Sequence, residues 1–177
     1  MSKVEYRRLT IEEAGRLREI DRSETIDLIY VMQDGVVKEK PVSNECPTWN
    51  DAQLLEIQDR FRYELENGGM AIGAFDGDPL VGFGVLAHQF RGEDADRLQV
   101  DLMYVSRSHR RQGIGSRIIE QLSEEARRRG ASYLYISSTE TRSAVSFYRS
   151  VGSRLADEVD EELFRKEPLD IHMLKKL

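Results

Sequence analysis

The stretch "RRQGIG", residues 110–115, constrains this chain more than any other. It follows the apolar run "RLQVDLMYV" and precedes a helical repeat with Ile114, Ile118, Leu122 and Ala126 on one face. Two glycines around one isoleucine therefore join a strand to a helix. A bare G-x-G at such a place is ordinarily just a turn, and arginines in loops are ordinarily solvated. A dinucleotide fingerprint needs a third glycine where Ile118 stands, and no Gly-Lys-Ser/Thr of a P-loop is present. The strand–turn–helix setting still suits an anion. The first N–H groups of a helix lack internal partners, and the helix dipole adds positive potential. Gly113 and Gly115 remove the Cβ atoms that would hold a phosphate away. The N–H groups of Gln112 to Ser116 are thus expected to converge, with Arg110 and Arg111 adding charge.

Around this stretch, strand patterns alternate with helical ones. "KVEYRRL" alternates as a strand. Thr10 and Glu13 make a capping-box pattern that opens a helix running through Ile20. Residues 25–40 alternate on both sides of Asp34-Gly35, which predicts a hairpin. A helix is expected from Asn50, with Leu54, Ile57, Phe61 and Leu65 inward, ending at Asn67-Gly68-Gly69. Two apolar strands flank the turn at residues 76–79, and "RGEDAD" is a polar loop. After the helix that closes at Gly130, "SYLYIS" is a strand and residues 143–151 are a short helix. Closing strands are expected near 153–157 and 169–175, with the acidic run Asp157 to Glu162 between them. The fold class is α/β in the broad sense. It has a mixed, mostly antiparallel central sheet with helices on both faces, in one domain over residues 1–177.

Composition excludes some chemistry. Cys46 is the only cysteine, so neither a disulfide within the chain nor a zinc–cysteine cluster is available. His88, His109 and His172 lack metal-ligand spacing, and no metal is expected. No apolar run approaches the ~18 residues of a membrane span, and "MSKVEYRRLTIEE" lacks the apolar core of a leader. The expectation is a cytoplasmic protein with no membrane partner. The net charge of −6 argues against nucleic acid and weakly favours a cationic partner.

"VSRSHRRQGIG" resembles the signature V-x-x-x-x-R/Q-x-x-G-x-G/A of the GNAT superfamily of N-acetyltransferases, with Val105, Arg110, Gly113 and Gly115 matching. Arg107 stands where many members carry proline. "TRSAVSFYRSVG" resembles a downstream stretch of the same family, N-x-x-A-x-x-F/L-Y-x-x-x-G. Ala144, Phe147, Tyr148 and Gly152 match, and Thr141 replaces the asparagine. The close resemblance covers roughly residues 97–152.

The resemblance implies a GNAT acyltransferase fold and transfer of an acetyl group from acetyl-CoA to an amine, by direct attack in a ternary complex. It places the coenzyme on Met103, Tyr104, Val105, Arg110, Arg111, Gln112, Gly113, Ile114, Gly115, Ser116 and Thr141. A backbone N–H near Val105 would hold the thioester oxygen. Tyr148 would be the general acid for the departing thiolate, although a tyrosine on the apolar face of a short helix is ordinarily core. Asp101, sharing a face with Gln99, is the candidate base. A structural carboxylate is an equal reading, and His88 and Glu140 are outsiders. Residues 21–49 and the junction at Ser137 and Ser138 are expected to select the acceptor, a small cationic amine. Glu24, Asp27 and Asp34 each read first as solvated charge. A homodimer is an allowed assembly. The competing expectation is a module that holds acetyl-CoA as a sensor or scaffold without turnover.

Overall fold

Strand alternation calls for a sheet with two covered faces, and the computed structural model, which describes residues 3–177, contains one. Met1 and Ser2, which begin the stretch read as lacking a leader's apolar core, lie outside the described residues. The elements run β1 (Val4–Arg8), a 3-10 helix (Ile11–Glu19), β2 (Glu24–Gln33), β3 (Val36–Cys46), α1 (Asp51–Glu66), β4 (Met70–Asp76) and β5 (Leu80–Arg91). Then come β6 (Arg97–Val105), a 3-10 turn (Arg107–His109), α2 (Ile114–Arg128), β7 (Tyr133–Ser138), α3 (Arg142–Ser150), β8 (Ser153–Leu155), α4 (Glu161–Lys166) and β9 (Ile171–Lys176). Seven strands form the main sheet in the order β1-β4-β5-β6-β7-β9-β8, while β2 and β3 form a separate two-stranded sheet. Every pairing is antiparallel except β6 with β7.

Alternation along β4 sends Met70, Ile72 and Ala74 to one face, and Ala71 and Phe75 to the other. On the first face α2 buries Ile114, Ile118, Leu122 and Ala126, joined by Val145 and Tyr148 of α3. On the second, Ile57 and Phe61 of α1 pack with Ala14 and Leu17 of the 3-10 helix. Leu122 is fully enclosed, and truncating such a side chain to alanine costs about 2–5 kcal/mol. The start of α1 is fixed by its cap: Asn50 Oδ1 accepts from the Gln53 N–H at 2.8 Å, and Gln53 Oε1 accepts from the Asn50 N–H at 3.1 Å.

Four features depart from the sequence expectation. The first helix winds as a 3-10 helix because Ile11, Ala14, Leu17 and Ile20 recur every three residues, the 3-10 period. The hairpin extends beyond residue 40 to Cys46, which ends its second strand. The acidic stretch read as a connection holds α4, capped by Asp160 Oδ1 accepting from the Leu163 N–H, with Leu163 as its buried anchor. The closing strands are shorter or shifted: Ser153–Leu155 and Ile171–Lys176.

Candidate active site

The site begins where the sheet opens. β6 and β7 pair only at Arg97 with Tyr133, Leu98 with Leu134 and Gln99 with Tyr135. Beyond Gln99 the two strands no longer pair and leave a wedge. A bulge marks the divergence: Leu102 faces Val85 and Val100 faces Leu86, so Asp101 is an extra residue on β6. Past the bulge, Leu102 and Tyr104 turn to the α1 face, and Met103 and Val105 to the α2 face. The Ser106 N–H donates to Val81 on the β5 side at 2.8 Å. Strand alternation therefore turns the main-chain groups of Met103 and Val105 toward the wedge.

At the end of β6 the chain makes the glycine turn. Arg111 has φ +62° and Gly113 φ +82°, and α2 starts at the next residue with Gly113 as its cap. Among the described residues, no hydrogen bond uses the N–H groups of Arg111, Gln112, Gly113, Ile114, Gly115 or Ser116. Six consecutive unbonded donors at a helix N-terminus are a feature that suits an anion. A Cβ on Gly115 would sit 2.9 Å from Phe147 Cε1 and 3.3 Å from Met103 Cε, so this glycine lets α2, α3 and β6 meet. The Arg110 side chain faces inward. Its guanidinium donates to the carbonyls of Val105 at 3.0 Å, Ser23 at 2.8 Å and Asp21 at 3.4 Å. It braces the turn, while the exposed side chains of Arg111 and Gln112 lie outside.

α3 closes the wedge. Thr141 caps it, its Oγ1 accepting from the Ala144 N–H at 3.3 Å. Tyr148 is buried, and among the described residues nothing hydrogen-bonds its hydroxyl. Burial, with the nearby Tyr104 and Asp170, holds that hydroxyl protonated well above an ordinary tyrosine.

The α1 face of the wedge carries the charges. Tyr104 packs edge-on to Trp49 at 4.8 Å and stacks on Phe83. Arg60 of α1 donates to Asp101 Oδ1 and to the Asp101 carbonyl, both at 3.0 Å. Burial pushes the Asp101 carboxyl up, and the Arg60 guanidinium pulls it back. Across the wedge Ser137 Oγ donates to Asp170 Oδ2 at 2.8 Å. Burial pushes Asp170 up to about 7, Ser137 opposes this, and the charges of Glu167 and Glu140 add to it. Arg60 and Asp170 escaped the sequence reading. Neither has a spacing signal, since α1 and the β9 approach meet β6 only through the fold. Ser137, expected to help select the acceptor, lies on β7 beside the wedge.

The β2–β3 hairpin borders α3. The Tyr30 N–H donates to the Glu140 carbonyl at 2.7 Å, Ile29 bridges to Thr141, Ser143 Oγ donates to Glu24, and Asp27 faces Arg142 at 4.0 Å. Glu24 and Asp27 thus engage α3, while Asp34 occupies the hairpin turn at φ +51°. Arg107, in the place of the family's proline, donates to Glu45 at 2.8 Å and to Thr25 at 3.1 Å, tying the hairpin to the glycine turn. His88 pairs with Glu64 at 2.6 Å, on β5.

The acetyltransferase (GNAT) family model matches residues 35–164. Among solved structures, nourseothricin acetyltransferase superposes with a TM-score of 0.74 at 23% identity, covering 98% of both chains. PaiA N-acetyltransferase of Thermoplasma acidophilum, in complex with coenzyme A, gives 0.65 at 17% identity over 99% of both chains. The ribosomal-protein-S18-alanine N-acetyltransferase of Escherichia coli gives 0.60 at 14% identity, over 98% of this chain and 94% of that one. No curated protein matches the sequence. With its family signature on an open sheet wedge and the family model spanning most of its length, the chain belongs to the GNAT family of acetyltransferases.

Proposed function

We propose that the protein transfers the acetyl group of acetyl-CoA to the primary amine of a small cationic molecule, within a ternary complex. The observation that carries this is the run of six unbonded N–H groups from Arg111 to Ser116, set beside the open edge of β6 and under α3. These donors suit the coenzyme pyrophosphate. The main-chain groups of Met103 and Val105 suit the pantetheine arm as an added strand, and the Val105 N–H suits the oxygen of the thioester. Tyr148 suits the acid that protonates the leaving thiolate, because burial keeps its proton at working pH. Thr141 borders the same wedge.

The cationic acceptor rests on the charge of the opposite face. Asp101 and Asp170 border the wedge; Glu140 and Glu167 lie near Asp170, and the cations near Asp101 are Arg60 and Lys166. Asp101, ion-paired to Arg60, attracts the ammonium group there, and its carboxylate is one candidate to receive a proton. The structural relatives are named for acceptors as different as nourseothricin and the alanine of ribosomal protein S18, so the preference for a small cation rests on the acidic groups alone.

The test is thiol release from acetyl-CoA with putrescine, spermidine, glucosamine and lysine. Release with at least one supports the reading. Saturable coenzyme binding with no release for any of them would leave a sensor module instead.

A further inference from the structure

We propose that Asp170 is the catalytic base of this site, taking the proton from the acceptor ammonium across the wedge from Tyr148. This inference rests on the acetyl-transfer reading above. Its grounds are geometric. Asp170 immediately precedes β9, and its Oδ2 is fixed by Ser137 Oγ at 2.8 Å on the strand that forms one wall of the wedge. Among the described residues its Oδ1 has no hydrogen bond and no cation pairs with it. Asp101 differs. Its carboxylate is bound by Arg60, so protonating it would leave a guanidinium at the wedge without its counter-charge.

Groups from several neighbouring elements act on Asp170. Ser137 comes from β7, Glu140 from the β7–α3 connection, Glu167 from the turn before β9, Arg60 from α1 and Tyr148 from α3. Two carboxylates and partial burial oppose ionisation, while one hydroxyl and one more distant guanidinium favour it. The balance lifts the carboxyl to about 7, the range in which a base both holds and releases protons at working pH.

The proton and electron count closes. The ammonium gives one proton to Asp170, and the freed nitrogen lone pair forms a C–N bond to the thioester carbon. The C–S bond breaks, and its electron pair leaves on sulfur, which takes the Tyr148 hydroxyl proton. The second proton on nitrogen returns to the Tyr148 oxygen. Asp170 releases its proton to solvent, so each turnover yields amide, free thiol and one proton.

The experiment is the pH profile of kcat/KM, with the panel amine that releases thiol fastest, for wild type, D170N, S137A and D101N. It is paired with carbon-13 titration of the aspartate side-chain carboxyls in wild type, using D170N for assignment. The wild-type acid limb and the Asp170 resonance should share a midpoint near 7. D170N should lose that limb and fall about 10²–10⁴-fold at pH 8. S137A, which keeps the carboxylate but removes its donor, should move the limb upward. D101N should raise KM for the amine and keep the limb. The inference is overturned if Asp170 titrates as an ordinary carboxylate, or if D170N keeps the limb while wild type turns over. Absence of thiol release with every amine would overturn the acetyl-transfer reading, and this one with it.

Discussion

Gly115 and Phe147 are in contact across the α2–α3 junction, with room for a hydrogen and not for a methyl group, since a Cβ at 115 would meet the ring at 2.9 Å. The glycine thus seats the first turn of α2 against the helix carrying Tyr148. G115A forces the ring or the helix aside, at about 1–3 kcal/mol. Acetyl-CoA affinity should fall roughly tenfold, measured by calorimetry, for ~1.4 kcal/mol of displacement. Unchanged affinity would separate the cradle from the packing.

Among the described residues nothing hydrogen-bonds the Tyr148 hydroxyl, so replacing it with phenylalanine removes chemistry and little else. Y148F should keep its melting temperature and its coenzyme affinity. Its kcat should drop about 10²–10⁴-fold. A full rate in Y148F would remove the acid from the proposed mechanism.

Arg110 is held by three carbonyls, two of them in the segment before β2. R110A should loosen that segment and the end of β6, at about 1–3 kcal/mol for the carbonyls left without their charged donor. Thermal unfolding reads the loss. Hydrogen exchange should rise at residues 21–23 and 105–107, and exchange confined elsewhere would contradict the bracing role.

Glu125 predicts the acid response of the fold. It is buried on α2 and receives Arg129 at 2.8 Å, Arg8 at 2.6 Å and Arg128. Burial pushes its carboxyl up, but the guanidiniums of Arg129, Arg128 and Arg8 outweigh this and hold it below its ordinary value. A depressed folded pKa stabilises above the unfolded value and is lost as pH falls through the folded one. E125Q should therefore lower stability at pH 7 by about 1–3 kcal/mol and by less under acid conditions. Denaturant midpoints at the two pH values test this, and an equal loss at both would refute it.

The glycine turn and its flanking elements were legible because their signals are local: period-two alternation up to Val105, period 3.6 from Ile114, and two glycines between. The arginines near the end of α2 carry no sign in the sequence that their partner is buried. Glu125 lies one turn back, and it is also bound by Arg8 of β1, which only the fold brings near. Arg60 and Asp170 were illegible for the same reason. They reach the wedge from α1 and from the approach to β9, 110 residues apart in the chain, and only the sheet order β6-β7-β9 brings them into one field. The bulge at Asp101 was also invisible. It adds one residue within an otherwise alternating strand, and so turns Tyr104 and Asp101 to the same face.

The most direct measurement is a calorimetric titration of the protein with acetyl-CoA. Saturable binding at one site per chain, weakened when Gly113, whose added Cβ would meet nothing within 4 Å among the described residues, is replaced by a bulky residue, is the predicted result. A folded wild-type protein that takes up no acetyl-CoA would mean that residues 110–116 are only a turn between a strand and a helix.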